Sequence, residues 1–244
     1  MGDIGIGVLI FAAALLYSSV GHAGGSGYLA ALALGGVPPA SMKPTALTLN
    51  VLVATIATWK FVRAGCFSWR AFWPFALASV PCAYLGGRMT LPATLYRPLV
   101  AVVLLFAAYR LLAGSRAMAT ATTRPPPLPL ALVVGGGIGL LAGMTGHGGG
   151  VFLSPFLVLM GWAEVRQSAG IAAAFILVNS IAGLAGHASS LARLPEALPG
   201  WALAAVVGGT IGSEYGSRRL GAAALRRLLA VVLALAGLKM IVAT

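Results

Sequence analysis

Two histidines stand beside glycine clusters at matching places in this chain, and these residues are the best suited to chemistry. The string Gly-His-x-Gly-Gly occurs at 21–25, where it contains His22, and again at 146–150, where it contains His147. The copies lie 125 positions apart, about half of the 244 residues. Glycine lets a ligand approach the peptide N–H groups closely, and imidazole can form hydrogen bonds or bind a proton near neutral pH. Together they suit the binding of a small polar ligand.

Each glycine string leads into a short apolar segment, at 24–36 and at 149–162. A helix that begins inside the protein presents unpaired N–H groups and a partial positive charge, which favour an anion. We therefore predict that an anion binds at these two helix starts. The candidate binding residues are Gly24, Gly25, Ser26, Gly27, Gly148, Gly149, Gly150, His22 and His147. The alternatives are helix packing for the glycines and a structural role for the histidines.

Each half also carries an asparagine in its third apolar segment, Asn50 in the first half and Asn179 in the second. Polar side chains within a membrane span cost free energy unless they are paired, so we expect both to face the protein interior. Contact with the substrate is one explanation, and hydrogen bonding between helices is the other.

The composition places these residues in a membrane protein. Hydrophobic residues make up 59% of the chain and charged residues 8%, with a mean hydropathy of +0.97. A soluble domain carries about 25% charged residues. A net charge of +12 would indicate nucleic-acid binding in a soluble protein. Here the basic residues flank apolar segments, as in the positive-inside pattern, so we expect the lipid bilayer and no nucleic acid as the partner.

Ten apolar segments follow one another, five in each half of the chain. They lie at 4–20, 24–36, 44–62, 71–87, 95–112, 128–144, 149–162, 167–186, 198–213 and 222–243. The sequence predicts an all-α integral membrane protein in which each half holds a broken or re-entrant short-helix pair and three transmembrane helices. The predicted parts of this single membrane domain are an N-terminal repeat (1–112), a linker (113–127) and a C-terminal repeat (128–244).

The distribution of lysine and arginine favours two halves of opposite orientation. If each short-helix pair returns to the side where it began, each half crosses the membrane an odd number of times. The basic residues then divide 11 to 5 between the two sides, whereas a parallel arrangement divides them 8 to 8. Because basic residues collect on the cytoplasmic side, we expect inverted-topology repeats, a cytoplasmic linker and both termini in the periplasm.

Acidic residues are nearly absent, and none lies within an apolar segment. They are Asp3, Glu164, Glu196 and Glu214. No buried carboxylate is therefore offered to a cation or to acid–base catalysis, and no phosphate-loop or metal-binding motif is present. We expect no enzyme activity, no cofactor and no metal site. The chemistry that is left is the binding of an anion by N–H, hydroxyl and imidazole groups. Lys43 or Arg88 is the candidate basic residue at the rim of that binding site.

The two glycine stretches resemble those of the TauE/SafE family of sulfite exporters and organosulfonate transporters. They are GHAGGSGYLAALALGGVPP at 21–39 and GMTGHGGGVFLSPFLVLMG at 143–161. The second is the closer match, with Pro155 after its glycines, whereas the first has Ser26 and Ala30 in place of the third glycine and the proline. The resemblance extends over the whole chain. It implies a secondary carrier of the bacterial inner membrane for small sulfur-containing anions such as sulfite or an organosulfonate.

The sequence-based hypothesis is a transporter that moves a small anion by alternating access between the two glycine turns. Protons are the candidate coupling ions, through His22 or His147. The alternatives are a passive anion channel or pore, a carrier of another small anion, and, less favoured in a chain with so few loops, a membrane scaffold. The sequence leaves open the direction of transport and whether the chain forms a homodimer.

Overall fold

The computed structural model describes residues 2–89, 93–113, 124–187 and 194–242, and its fold in these ranges is helical. The α-helices are α1 (Asp3–Ser18), α2 (Gly25–Leu34), α3 (Pro39–Arg63), α4 (Trp69–Gly87), α5 (Ala93–Ala113), α6 (Leu128–Thr145), α7 (Gly150–Leu159), α8 (Val165–Gly186), α9 (Leu198–Glu214) and α10 (Ala222–Val242). A π-helical turn, Tyr215–Arg219, continues α9. Each predicted apolar segment coincides with one helix, which confirms the all-α prediction. Within the predicted linker, residues 114–123 lie outside the described ranges.

The outer surface of the bundle is apolar. Among the residues that the structure describes, three helices, α3, α6 and α8, are long and apolar enough to cross a membrane by length and composition. Large apolar side chains point outward from other helices as well, with Val133 74% exposed, Leu203 66% and Leu77 62%. A soluble monomer rarely exposes so much apolar surface, whereas lipid tails are as apolar as these side chains. The surface therefore fits a bilayer.

The short helices α2 and α7 interrupt the pattern of long spans. Each has ten residues, a length of about 15 Å, which is half of the roughly 30 Å hydrocarbon core. The chain leaves α1 at Ser18 and resumes helix at Gly25; it leaves α6 at Thr145 and resumes at Gly150. The predicted helix breaks at the two glycine strings are thus present.

Helices from the two halves of the chain interleave in the bundle. Helix α1 packs against α9, α4 against α6, and α5 against α10, while α3 crosses α8 at the centre. Helix α3 also contacts α9, and α8 contacts α4. If each helix is exchanged for its counterpart five places along the chain, the same set of pairs results: α1·α9 becomes α4·α6, α3·α9 becomes α4·α8, and the pairs α3·α8 and α5·α10 map onto themselves. The core is therefore built jointly by both halves.

Glycines at four-residue spacing bring these helix pairs into backbone contact. On α6 they are Gly135, Gly139 and Gly143. A Cβ atom added to Gly139 would overlap the carbonyl oxygen of Ser79 on α4. On α9, Gly208 and Gly212 lie in the same way against the backbone of α1. Small residues allow this close approach of membrane helices, so the glycines fix the distances between the halves.

Substitution of Gly139 by alanine is expected to destabilise the protein by about 1–3 kcal/mol, because the added methyl must displace the α4 backbone. Gly137 lies on the same helix, and a Cβ atom there would meet nothing within 4 Å. Gly137→Ala is therefore the matched control and should leave stability unchanged or slightly higher. Thermal unfolding of the purified proteins in detergent measures both effects. Equal unfolding temperatures for the two variants would contradict the close contact.

Candidate functional site

The two glycine strings form matching turns, each between a long and a short helix. The first turn has φ angles of 78° at Gly21, 56° at Ala23 and 129° at Gly24. The second has φ angles of 76° at Gly146, 75° at Gly148 and 82° at Gly149. Glycine adopts positive φ readily, whereas alanine does so at a cost in free energy. The duplicated sequence therefore folds into a duplicated backbone geometry.

The short helices start inside the protein, directly after these turns. Helix α2 begins at the buried Gly25 and α7 at the buried Gly150. The N-cap residues, Gly24 and Gly149, have no side chain to cap the helix. The first N–H groups of a helix have no acceptor within it, so both turns carry hydrogen-bond donors into the interior. Ser26 and Gly27 lie within the first turn of α2 and not ahead of the helix.

Asn50 of α3 lies between the two turns. A Cβ atom on Gly25 would stand 2.6 Å from Asn50 Nδ2 and 3.1 Å from the carbonyl oxygen of His147. A Cβ atom on Gly148 would lie 3.3 Å from the same Nδ2 atom and 3.1 Å from Ser180 Oγ on α8. The structure therefore gathers residues from both turns and from both central helices around one side-chain amide.

Three buried polar side chains of the central helices α3 and α8 have no hydrogen-bond partner within the described protein. Asn50, Asn179 and Ser180 are each 0% exposed. Neither amide atom of the two asparagines, nor the Ser180 hydroxyl, is paired with another described residue. Leaving a buried polar group unpaired costs about 1–3 kcal/mol. Unpaired buried groups call for an explanation, and a ligand is one; the glycines of both turns lie directly beside the Asn50 amide.

The two halves differ in chemistry at this centre. Gly25 of α2 faces the amide of Asn50, whereas its counterpart Gly150 of α7 faces Ile176, with 2.5 Å between a built Cβ atom and Ile176 Cδ1. Asn179 lies about one helical turn beyond Ile176 on α8. The symmetric backbone thus carries unequal side chains, and Asn50 is the polar residue that both turns approach.

The imidazole of His22 connects the first turn to the short helix of the other half. Its Nε2 atom lies 2.8 Å from Ser154 Oγ on α7, and the ring is 2% exposed. His147 is also buried, and its main-chain carbonyl faces Gly25. The contact with Ser154 is consistent with one of the roles considered for His22, the bracing of its turn.

The two basic residues expected at the rim occupy different positions. Lys43 lies beside the second turn, since a Cβ atom on Gly146 would be 3.5 Å from both its Cα and Cβ atoms. Arg88 follows α4 at the surface, with its guanidinium 5.9 Å from the ring centroid of Tyr84. Only Lys43 is therefore placed next to a glycine turn.

Two residues at the site, Ser154 and Ser180, were outside the list of candidate binding residues from the sequence. Ser180 follows Asn179 directly, and Ser154 lies one helical turn after Gly150. Both spacings are visible in the sequence, but serine is common in membrane helices and often bonds to its own helix. Only the fold shows that Ser180 lies near Gly148 and that Ser154 lies near His22.

Comparison with known proteins identifies the family. The protein-family model described as "Sulfite exporter TauE/SafE" matches residues 6–240 of this chain. The chain belongs to the sulfite exporter TauE/SafE family. A curated relative, the "Probable membrane transporter protein y4hK" of Sinorhizobium fredii (strain NBRC 101917 / NGR234), is 43% identical over 241 residues, with 98% of each chain covered. No solved structure matches. The resemblance seen in the glycine stretches is thereby confirmed, and this TauE/SafE protein is a membrane protein of a transporter family.

The bond between His22 and Ser154 should contribute measurably to the stability of this TauE/SafE protein. Ser154→Ala strands a buried imidazole nitrogen and is expected to cost about 1–3 kcal/mol. Ser168→Ala is the control, because the equally buried Ser168 bonds to Val165 of its own helix. Thermal unfolding of His22→Ala, Ser154→Ala and the double variant completes a double-mutant cycle. Strictly additive effects would show that the two side chains are not coupled.

Proposed function

We propose that this TauE/SafE protein is a secondary transporter that carries a small sulfur-containing oxyanion, sulfite or a small organosulfonate, through the site between the two turns. The observation that carries the proposal is the approach of both turns to the unpaired amide of Asn50. Amide, hydroxyl and backbone N–H donors held in a dry site stabilise an oxyanion. These donors support the proposal of a small oxyanion, and sulfur is taken from the description of the family.

The transport mechanism that we propose is alternating access by two inverted halves. Its support is the reciprocal helix packing together with the central crossing of α3 and α8. Leu47 of α3 is close to Gly183 of α8, whereas Phe61 is close to Gly170, so the two helices run antiparallel. A twofold axis in the membrane plane would pass close to Asn50. Inverted repeats that rock about a midplane site are an established transporter design. With the more basic side of the protein in the cytoplasm, this proposal has both termini in the periplasm.

Alternating access requires the bundle to open at one end while the other end stays closed. The two ends of this bundle are held by different contacts. At one end, Lys60 of α3 donates to Glu214 of α9 over 2.8 Å and to the Thr210 carbonyl over 2.9 Å. These helices belong to different halves, and the Lys60 side chain is only 11% exposed. At the other end, Gly186 of α8 packs against the backbone of Gly87 on α4. The ion pair between Lys60 and Glu214 would have to break for the bundle to open at the Lys60 end.

Protons are the proposed coupling ions. All four acidic residues of the chain lie outside the apolar segments, so no carboxylate is placed to bind a sodium ion near Asn50. His22 and His147 lie in the turns themselves, and imidazole can take up and release a proton. A pH gradient should therefore accelerate the flux of the anion, and substitution of both histidines by glutamine should remove that acceleration.

Asn50→Leu separates transport from stability. Loss of a hydrogen bond to a charged ligand is expected to lower the flux of labelled sulfite into proteoliposomes by about tenfold or more. The unfolding temperature should not fall, because the substitution removes an unpaired buried amide. Thr55→Val is the matched control, since Thr55 lies on the same helix and is exposed, and it should retain the flux.

Two results of that assay would contradict the proposal. Sulfite flux in Asn50→Leu equal to that of the unchanged protein would remove Asn50 from the site. Flux that neither saturates nor shows counterflow would identify a passive channel in place of a carrier.

Opening at the Lys60 end can be followed with a native thiol. Cys66, in the loop after α3, is buried with its Sγ atom 4.0 Å from the Ser217 carbonyl, and burial raises the pKa of its thiol. Both factors slow its reaction with a maleimide. In a Cys82→Ala background, Lys60→Met should speed the labelling of Cys66 several-fold by a membrane-impermeant maleimide at fixed pH.

Arg218→Met is the matched control for that experiment. Arg218 pairs with the same Glu214 carboxylate, at 3.4 Å, but both residues belong to the second half. Its removal should leave the labelling rate of Cys66 unchanged. Equal rates in Lys60→Met and the unchanged protein would show that the ion pair does not hold this end closed.

A further inference from the structure

A second polar site lies among the helix ends, away from the two glycine turns. It is a cleft of about 200 Å³ whose lining includes Ser68, Arg70, Arg124, Trp162 and Gln167. Ser68 precedes α4, Arg124 lies shortly before α6, and Gln167 is in the first turn of α8. Three helix N-termini, each with a partial positive charge, therefore surround a cleft that already holds two arginines.

Neither arginine of the cleft forms an ion pair within the described part of the chain. The ion pairs found there join Glu214 to Lys60 and to Arg218, and neither Arg70 nor Arg124 takes part in one. Ser68 is the N-cap residue of α4, yet its hydroxyl does not cap the helix. Two guanidinium groups and a hydroxyl are thus available to a ligand rich in oxygen atoms.

The walls of the cleft are fixed by contacts with the bundle. The N–H group of Arg124 donates to the Gly161 carbonyl over 3.0 Å. The Trp162 ring is 9% exposed and lies against Phe75 and Phe156, with ring centroids 6.0 Å and 6.4 Å apart. The cleft is therefore a built feature of the fold and does not depend on a chance approach of surface side chains.

The surroundings of the cleft are those expected of a site at the level of lipid headgroups. Trp69, next to Arg70, is 65% exposed, and exposed tryptophan is typical of the membrane–water interface. Farther along α4 and α6, Leu77 and Val133 point outward and are 62% and 74% exposed. A polar cleft thus stands at the end of an apolar surface formed by two helices in contact.

We propose that this cleft binds the phosphate group of an anionic phospholipid. Arg70 and Arg124 hold the phosphate oxygens, Ser68 and Gln167 donate hydrogen bonds, and the acyl chains lie along α4 and α6. Guanidinium groups bind phosphate oxygens in a bidentate manner, and basic pockets between membrane helices accept lipid headgroups. A free phosphate-type anion would use the same hydrogen-bond donors but has no acyl chains. The apolar surface beside the cleft therefore favours a lipid.

Native mass spectrometry of the detergent-solubilised protein, titrated with phosphatidylglycerol or phosphatidylcholine, tests this proposal. We expect the unchanged protein to retain phosphatidylglycerol preferentially. The double variant Arg70→Gln, Arg124→Gln should bind it roughly 10- to 30-fold more weakly. The matched control is the double variant Arg63→Gln, Arg110→Gln, which loses the same charge from exposed arginines outside the cleft and should bind like the unchanged protein.

Three results would overturn the proposal. One is equal binding of phosphatidylglycerol by the cleft and control variants. Another is binding of phosphatidylcholine as tight as that of phosphatidylglycerol. The third is complete displacement of the lipid by millimolar inorganic phosphate, which would identify the cleft as a free-anion site. Unfolding temperatures verify that the variants are folded, and if the glutamine pair is not, Arg70→Lys with Arg124→Lys should still weaken binding through loss of bidentate contacts.

This lipid site is separable from transport. Sulfite flux in liposomes of phosphatidylcholine alone should be the same for the cleft variant and the unchanged protein, because the cleft is distinct from the residues around Asn50. Loss of lipid binding with flux retained supports the headgroup site. Loss of flux in phosphatidylcholine liposomes would show instead that the two arginines act on the transported anion.

Discussion

The hydrogen-bonding needs of the backbone inside a bilayer are the constraint on which this structure depends. Peptide groups that leave a helix at membrane depth find no water, so they must be buried in protein or line a polar cavity. This chain leaves the helix twice, after Ser18 and after Thr145. Both breaks lie next to the central helices α3 and α8, and the interleaved packing of the two halves surrounds them. The glycine contacts between helix backbones make that packing close enough.

The same constraint explains why the two turns share one backbone geometry although their neighbouring side chains differ. The positive φ angles recur at equivalent positions of both turns, because any break of this shape requires them. The neighbouring side chains are under no such requirement. Asn50 stands near the start of α2, whereas Ile176 stands near the start of α7. The two breaks therefore share one backbone geometry, whereas the side chains that face the two helix starts differ in polarity.

The sequence by itself determined the membrane environment, the ten helices and the places where the chain breaks. These features depend on local properties, namely the length of apolar runs and the conformational freedom of glycine, which can be read without knowledge of neighbours. The ends of the helices were predicted less accurately than their existence. Helix α3 begins at Pro39, whereas its apolar segment was placed from 44 onward. Proline is well suited to the first turn of a helix, so the helix extends past the point where hydropathy falls.

Only the tertiary structure decided which residues meet. The approach of Gly148 to Asn50 joins positions 98 residues apart in the chain, and that of His22 to Ser154 joins positions 132 residues apart. Helices that are apolar on every side carry almost no periodic signal, so the sequence did not reveal which faces turn inward. The rotation of each helix is set by close packing against its neighbours, and that packing exists only in the folded chain.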